Sequence, residues 1–143
     1  MESNLENLIL SGQFDQLRAI YFNTNFEEFT NALLAQAFEN ESLSNYSVIL
    51  YLLLESEDEK LHDLAYQILS QPLCHIEGAY ASSLYHAQKA VELTHYTNVQ
   101  RLENLLLLNI VPEKIVSDAQ AKSIAKQILT LDPTNKVAKE TLN

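Results

Sequence analysis

The sequence predicts an all-α fold, an α/α array of about eight or nine short antiparallel helices. Apolar residues recur at helical spacing along nearly the whole chain, and the alternation typical of β-strands is absent. Only 2 of the 143 residues are Gly and 3 are Pro, which is too little turn chemistry for a β-sandwich, barrel or propeller. An irregular, solenoid-like helical repeat and a closed bundle both fit this pattern.

The N-terminal part of the chain predicts four helices. The first ends near Gly12, a residue suited to a helix C-terminus. A second short helix follows, and Asn25 is a suitable N-cap for the third. The fourth contains the run 48–54, which is apolar on all sides and is therefore expected at the centre of the domain. From that position, truncating Leu50 or Leu53 to Ala is expected to cost about 2–5 kcal/mol.

Capping patterns mark the helices of the C-terminal part. A Ser or Thr followed three residues later by Glu or Gln has the spacing of a capping box. This spacing occurs at three expected helix starts: Ser56 with Glu59, Thr97 with Gln100, and Ser117 with Gln120. Prolines at positions 72, 112 and 133 separate the helices. Thr134 is expected to begin a last short helix.

The negative charge of the chain is concentrated in residues 1–59. The net charge is −10, and this segment holds eleven carboxylates and one basic residue, Arg18, whereas residues 60–143 are neutral. No linker rich in Gly, Ser or Pro separates the two parts, so we expect a single domain over 1–143. A single cysteine, an acidic start and no long apolar run together predict a cytoplasmic protein.

This acidity favours a basic protein partner. It repels phosphate backbones and anionic membrane surfaces, so we expect neither nucleic-acid nor membrane binding. It attracts surfaces rich in Lys and Arg and speeds their association, although acidity can also serve solubility alone. The carboxylates expected at a partner-binding acidic face are Glu27, Glu28, Glu39, Glu41, Glu55, Glu57, Asp58 and Glu59.

Two Glu-x-x-His pairs provide an alternative function. Glu59 with His62, and Glu92 with His95, have the three-residue spacing with which di-iron bundles hold metal. A small-molecule- or metal-binding helical bundle would use these pairs. Against it, Glu59 is the expected capping partner of Ser56, and His62 is expected on a polar helix face. We therefore expect no metal and no cofactor.

Catalytic motifs are also absent from the sequence. Cys74 and His75 are neighbours without a recognisable orienting residue, and no glycine-rich phosphate loop occurs. His86, between Ser83 and Lys89, is expected at the surface. These observations predict a protein without enzymatic activity.

Residues 121–142 resemble part of a tetratricopeptide repeat. The small Ala121 and the turn 131–133, Leu-Asp-Pro, fall at the spacing of the second helix and exit turn of that repeat, and Leu142 fits a core position of a following first helix. Ala125 stands where the family has a bulky aromatic residue, and no first helix of the Trp-Leu-Gly-Tyr type precedes the segment. The resemblance implies a right-handed stack of helix pairs that binds proteins or peptides.

These observations predict a non-catalytic protein–protein interaction module, an acidic helical domain that binds a basic protein partner. An immunity-type or antitoxin-type inhibitor is a concrete version, because neutralising a basic toxin favours a dense acidic face on a rigid scaffold.

Overall fold

Nine helices form the secondary structure of residues 2–143, the part of the chain that the computed structural model describes, and this part contains no strand. The helices are α1 (Glu2–Leu10), α2 (Phe14–Phe22), α3 (Phe26–Asn40), α4 (Ser44–Glu55), α5 (Glu59–Ser70), α6 (Ala79–Leu93), α7 (Val99–Ile110), α8 (Asp118–Leu131) and α9 (Lys136–Leu142). The predicted all-α fold class is confirmed. Met1, with which the predicted acidic part begins, lies outside the described residues. Within them, no helix combines the length and the apolar character that crossing a membrane requires.

Helices α1–α4 pack as a small bundle. Helix α1 contacts α2, α3 and α4, and α2 also contacts α4. The rings of Phe14 and Tyr51 lie 5.7 Å apart, and Arg18 pairs with Glu55, so α2 and α4 run in the same direction. The first hydrophobic cluster lies between these helices and continues into α5.

Helices α5–α9 instead pack in chain order. Each contacts the next, and α7 also contacts α9. Arg101 Nε donates to Glu59 Oε2 at 2.8 Å, and Asn104 Nδ2 donates to Asp63 Oδ1 at 2.9 Å. Both contacts advance in the same direction, so α5 and α7 are parallel. A second hydrophobic cluster fills this part of the chain, and α5 contributes to both clusters.

Two of the predicted helix caps are confirmed. Asn25 accepts a hydrogen bond from the backbone N–H of Glu28 at 2.8 Å. Ser117 and Gln120 form the predicted reciprocal capping box, with distances of 3.1 and 3.0 Å. Both caps satisfy backbone donors that would otherwise lack partners at the helix start.

Three helix starts lie one or two residues beyond the predicted position. Asp58, rather than Ser56, caps α5 by accepting from the N–H of Lys60. Asn98, not Thr97, caps α7, and Asn135, not Thr134, caps α9. Asp and Asn are at least as good at the N-cap as Ser and Thr. In each case the Asp or Asn directly before the first helical residue is therefore the cap.

The expectation that the run 48–54 is buried on all sides is wrong. Ile49 is fully buried, but Leu50 is 40% exposed and Leu54 is 85% exposed. Helix α4 lies at the edge of the bundle, so its neighbours cover one face and leave the other in solvent. The exposed face follows helical spacing along Leu43, Leu50 and Leu54.

Candidate functional site

A buried pair of histidines joins α5 to α6. His62 is 3% exposed and His86 is 1% exposed, and their Nδ1 atoms lie 2.9 Å apart. The expectations of a polar-face His62 and a surface His86 are therefore wrong. Helix α6 packs closely on the side of α5 that carries His62, and it buries a face that the sequence pattern alone shows as polar.

With both imidazoles neutral, the partners of the ring nitrogens determine the direction of every hydrogen bond in the pair. His62 Nε2 lies 3.0 Å from Glu57 Oε1, and a carboxylate only accepts, so His62 donates there. A neutral His62 then accepts at Nδ1 from the Nδ1–H of His86. His86 Nε2 in turn accepts from the hydroxyl of Tyr46 at 2.8 Å. All four ring nitrogens thus have partners while both imidazoles are neutral.

Burial keeps the His86 imidazole neutral at neutral pH. Burial, together with the smaller effect of the nearby His62, lowers the pKa of His86 to about 4. If both histidines were protonated, the N–H groups at the two Nδ1 atoms would face each other across 2.9 Å. Burial also raises the pKa of Tyr46, so its hydroxyl remains the donor.

An open cleft of about 570 Å³ lies against the histidine pair. Four segments line it, and its walls are mostly apolar or aromatic: Phe14 of α2, Leu50, Tyr51 and Leu54 of α4, and Tyr85 of α6. Glu57, His62 and His86 also line it. We call this feature the histidine cleft.

The structure separates the predicted acidic face into two groups. Lys60 Nζ lies 5.8 Å from the ring centre of Phe26, which places the start of α5 beside the start of α3. The start of α3, the end of α4 and the start of α5 thus bring most of the carboxylates to one side, which we call the acidic end: Glu27, Glu28, Glu55, Glu57, Asp58 and Glu59. Glu39 and Glu41 lie at the opposite end of α3, about 18 Å along its axis.

Some of these carboxylates have partners within the chain. Glu55 pairs with Arg18 and Glu59 with Arg101, and Asp58 caps α5. Glu57 accepts from His62, and Glu41 lies 3.9 Å from His75.

The remaining acidic residues have no such neutralisation. Glu27, Glu28 and Glu39 are exposed, and none of them forms an ion pair within the described part of the chain. The acidic end therefore combines paired and unpaired carboxylates.

The two Glu-x-x-His pairs do not come together. Glu59 binds Arg101, and the residue of α6 within hydrogen-bond distance of His62 is His86, which lies about 9 Å along the helix from Glu92. Glu92 lies 3.9 Å from Lys89, and His95 is exposed after the end of α6. Among the side chains that the structure describes, those of residues 4–143, no cluster of three or more His, Cys, Asp and Glu residues has an arrangement that could hold a metal ion.

A second cavity, of about 630 Å³, lies between α6 and α8 over α7. Its walls carry uncharged amides, Gln88, Gln120 and Gln127, and its Lys89 and Glu92 pair with each other. This groove belongs to the neutral part of the chain.

Residue spacing did not single out Tyr46, Tyr85 or the bond from His62 to Glu57. A usable signal was the small-residue stripe of α6, with Ser83, Ala87 and Ala90 buried at helical spacing. Small residues allow close helix approach, and His86 lies next to this stripe.

Comparison of the chain with protein-family models, with curated proteins and with solved structures found no match. The resemblance of residues 121–142 to a tetratricopeptide repeat therefore stays a prediction.

Proposed function

We propose that this chain is a non-catalytic protein–protein interaction module that binds a basic, amphipathic protein surface. The observation that carries the proposal is the adjacency of the acidic end, which includes the unpaired Glu27 and Glu28, to exposed apolar side chains. Leu54, 85% exposed, lies at the end of α4 that joins the acidic end. A partner with apolar residues flanked by Lys and Arg complements both features.

The charge of the acidic end favours association with a basic surface. Glu27 and Glu28 are exposed at the start of α3, where the helix dipole stabilises each by about 0.3–1 kcal/mol. Repulsion within the acidic end opposes this local gain. A surface rich in Lys and Arg relieves that repulsion and is steered toward it during encounter.

The apolar component comes from the exposed face of α4. Leu43, Leu50 and Leu54 lie along this face, and the histidine cleft opens beside the last two. Contiguous exposed apolar residues with a polar rim are typical of interaction sites. The partner is therefore expected to be amphipathic as well as basic.

An immunity-type or antitoxin-type inhibitor remains the concrete version of this function. Such a protein must neutralise a basic surface, and the acidic end has carboxylates without partners for that purpose. A metal-binding bundle is the less favoured alternative, because the structure uses Glu59 and His62 in separate internal contacts.

The test begins with capture of partners from native lysate at 0.01 M salt, followed by purification of the partner and measurement of its association rate. Glu27→Gln/Glu28→Gln removes two charges from the acidic end without disturbing Arg18 or His62. We expect a several-fold lower association rate at 0.01 M salt, where the Debye length is about 30 Å, and a smaller effect at 0.15 M.

The matched control is Glu113→Gln/Glu140→Gln, which removes the same charge from exposed positions in the neutral part. We expect this variant to associate at nearly the wild-type rate. Equal slowing by both variants would mean that only net charge matters, and no slowing by either would mean that the acidity serves solubility. Both outcomes contradict the proposal.

A further inference from the structure

The histidine cleft has the size of a ligand site. Its volume of about 570 Å³ lies within the range of about 300–1,000 Å³ that is typical of such sites. The residues that line it come from α2, α4, α6 and the start of α5, so packed helices fix its shape. It therefore has definite walls with which to select an occupant.

The charges around the cleft favour a cation. None of the residues lining it is Lys or Arg, and burial keeps the His86 imidazole at its inner wall uncharged at neutral pH. Arg18 lies near Tyr51, and Glu55 neutralises it. Glu57 uses Oε1 to accept from His62, and its Oε2 accepts no hydrogen bond from any residue in the described range. This half-exposed carboxylate leaves one oxygen available to a positively charged donor.

The aromatic walls favour the same occupant. Phe14 and Tyr51 form a tilted ring pair, and the Tyr51 hydroxyl donates to Asp15, which fixes the ring. Tyr85 lies beside His62 and is more than half exposed. Aromatic faces attract cations, and Leu50 and Leu54 provide contact for an aliphatic stem.

We propose that the histidine cleft binds a single lysine or arginine side chain of the partner, with its stem against Leu50 and Leu54 and its cationic head at Glu57. The site thus holds an anchor residue, and the surrounding acidic end provides the long-range attraction. This assignment rests on the proposed function, because it places one residue of the basic partner.

The experiment titrates the whole chain, with its leucine methyl groups labelled for NMR, with N-acetyl-lysine N-methylamide and with N-acetyl-norleucine N-methylamide. The two probes share an aliphatic stem and differ in the charged head. We expect the lysine probe to shift the methyl signals of Leu50 and Leu54 and to bind about tenfold more tightly than the norleucine probe.

Glu57→Gln keeps an acceptor for His62 and removes the charge, so it tests the site without opening the histidine network. We expect it to weaken lysine binding about tenfold and to leave norleucine binding unchanged. Glu39→Gln, at the far end of α3, is the matched control and is expected to bind both probes as the wild type does. An unchanged melting temperature shows that each variant is folded.

Two results would overturn the cleft assignment. Equal affinity for the two probes would mean that the cleft selects an apolar chain, and shifts confined to residues outside it would place the cation elsewhere. Neither result affects the association rates that test the proposed function. Conversely, salt-independent partner capture together with specific lysine binding would reject the acidic end and leave the cleft site intact.

Discussion

The two halves of the molecule use charge in opposite ways. In α5–α9, buried or half-buried charged groups are matched across helices, as Arg101 is by Glu59 and Asp63. In α1–α4, exposed carboxylates such as Glu27 and Glu39 have no ion-pair partner among the described side chains. The C-terminal half pairs its less exposed charges across helices, whereas the N-terminal half, apart from the exposed pair of Arg18 with Glu55, leaves carboxylates available to a second molecule.

The two halves also differ in how they pack. Helices α5–α9 contact one another in chain order, whereas α1 contacts three helices of its bundle. Helix α5 joins the halves, since Leu64 and Ile68 belong to the first hydrophobic cluster and Tyr66 to the second. Because one helix completes both clusters, we expect the halves to unfold together.

The largest expected effect comes from truncating buried residues in either half. Ile49→Ala in α4 and Leu108→Ala in α7 each empty a fully buried position, and we expect losses of about 2–5 kcal/mol in the free energy of unfolding. Leu50→Ala, the exposed neighbour, is expected to lose about 1 kcal/mol or less. Urea unfolding measures all three.

Cooperativity can be read from the same urea curves. A single unfolding transition with the wild-type slope in every variant would agree with halves that unfold together because α5 belongs to both hydrophobic clusters. A first transition that shifts only in Ile49→Ala, with a second that shifts only in Leu108→Ala, would contradict it. A loss for Leu50→Ala as large as that for Ile49→Ala would contradict the exposed face of α4.

The second largest effect is a pH dependence located at the junction of the halves. The pKa of His86 is about 4 in the fold and about 6.5 when unfolded, so the unfolded chain binds more protons between these values. Stability should therefore fall by up to about 3 kcal/mol as the pH decreases from about 6.5 to 4. The titratable groups that face His86 are Tyr46 of α4, His62 of α5 with Glu57 before it, and Tyr85 of α6.

Urea unfolding at several pH values measures this dependence. His86→Gln is expected to lower stability at pH 7 and to lose most of the slope between pH 6.5 and 4. His75→Gln, at an exposed histidine, should keep the wild-type slope. If His86→Gln retained the full slope, the acid sensitivity would arise from other groups and the neutral network would be wrong.

Helix identity could be predicted from the sequence, because it is decided locally. Apolar spacing identifies all nine helices of residues 2–143, and the caps at Asn25 and Ser117 depend on contacts three residues away. Even the misplaced caps differ by only one or two residues, as with Ser56 and Asp58.

The candidate site could not be predicted in the same way, because it depends on which helices meet. His62 lies among the polar residues of α5 and becomes buried only when α6 packs over it. Conversely, the all-apolar run 48–54 suggests a central helix, although no helix covers Leu54. Residue spacing describes the faces of one helix and does not say which face a distant segment will cover.

The third prediction compares an ion pair from each half. The side chains of Arg101 and Asp63 are each 12% exposed, whereas Arg18 and Glu55 are 43% and 41% exposed. We expect Arg101→Met to cost about 2 kcal/mol at pH 7, because it leaves two half-buried carboxylates without a cation. Arg18→Met should cost about 1 kcal/mol or less, as is usual for surface pairs.

The pH dependence of stability in these variants checks whether the cost of Arg101→Met arises from carboxylates left without a cation. Burial raises the pKa of Asp63, and Arg101 opposes that rise. Without Arg101 the pKa of Asp63 rises further, so the folded state of the variant binds a proton more readily and its loss of stability relative to the wild type should shrink as the pH is lowered toward 5. Chemical denaturation at pH 7 and pH 5 measures both values. Similar costs at the two arginines, or no recovery, would contradict the matched charge of the C-terminal half.

The smallest effect separates structure from function at a single residue of the acidic end. Asp58 caps α5 and also contributes a charge to the surface proposed to bind the partner. Asp58→Asn keeps a good cap and removes the charge, so stability should change by about 0.5 kcal/mol or less while partner association slows at low salt. Asp58→Ala removes both and should cost about 1 kcal/mol, whereas Ser56→Ala, at the position that does not cap, should cost almost nothing.

Thermal unfolding and association rates measured on the three variants give the comparison. If Asp58→Asn associated at the wild-type rate, Asp58 would act in the helix cap alone, and the partner-binding part of the acidic end would reduce to the carboxylates that have no role within the fold.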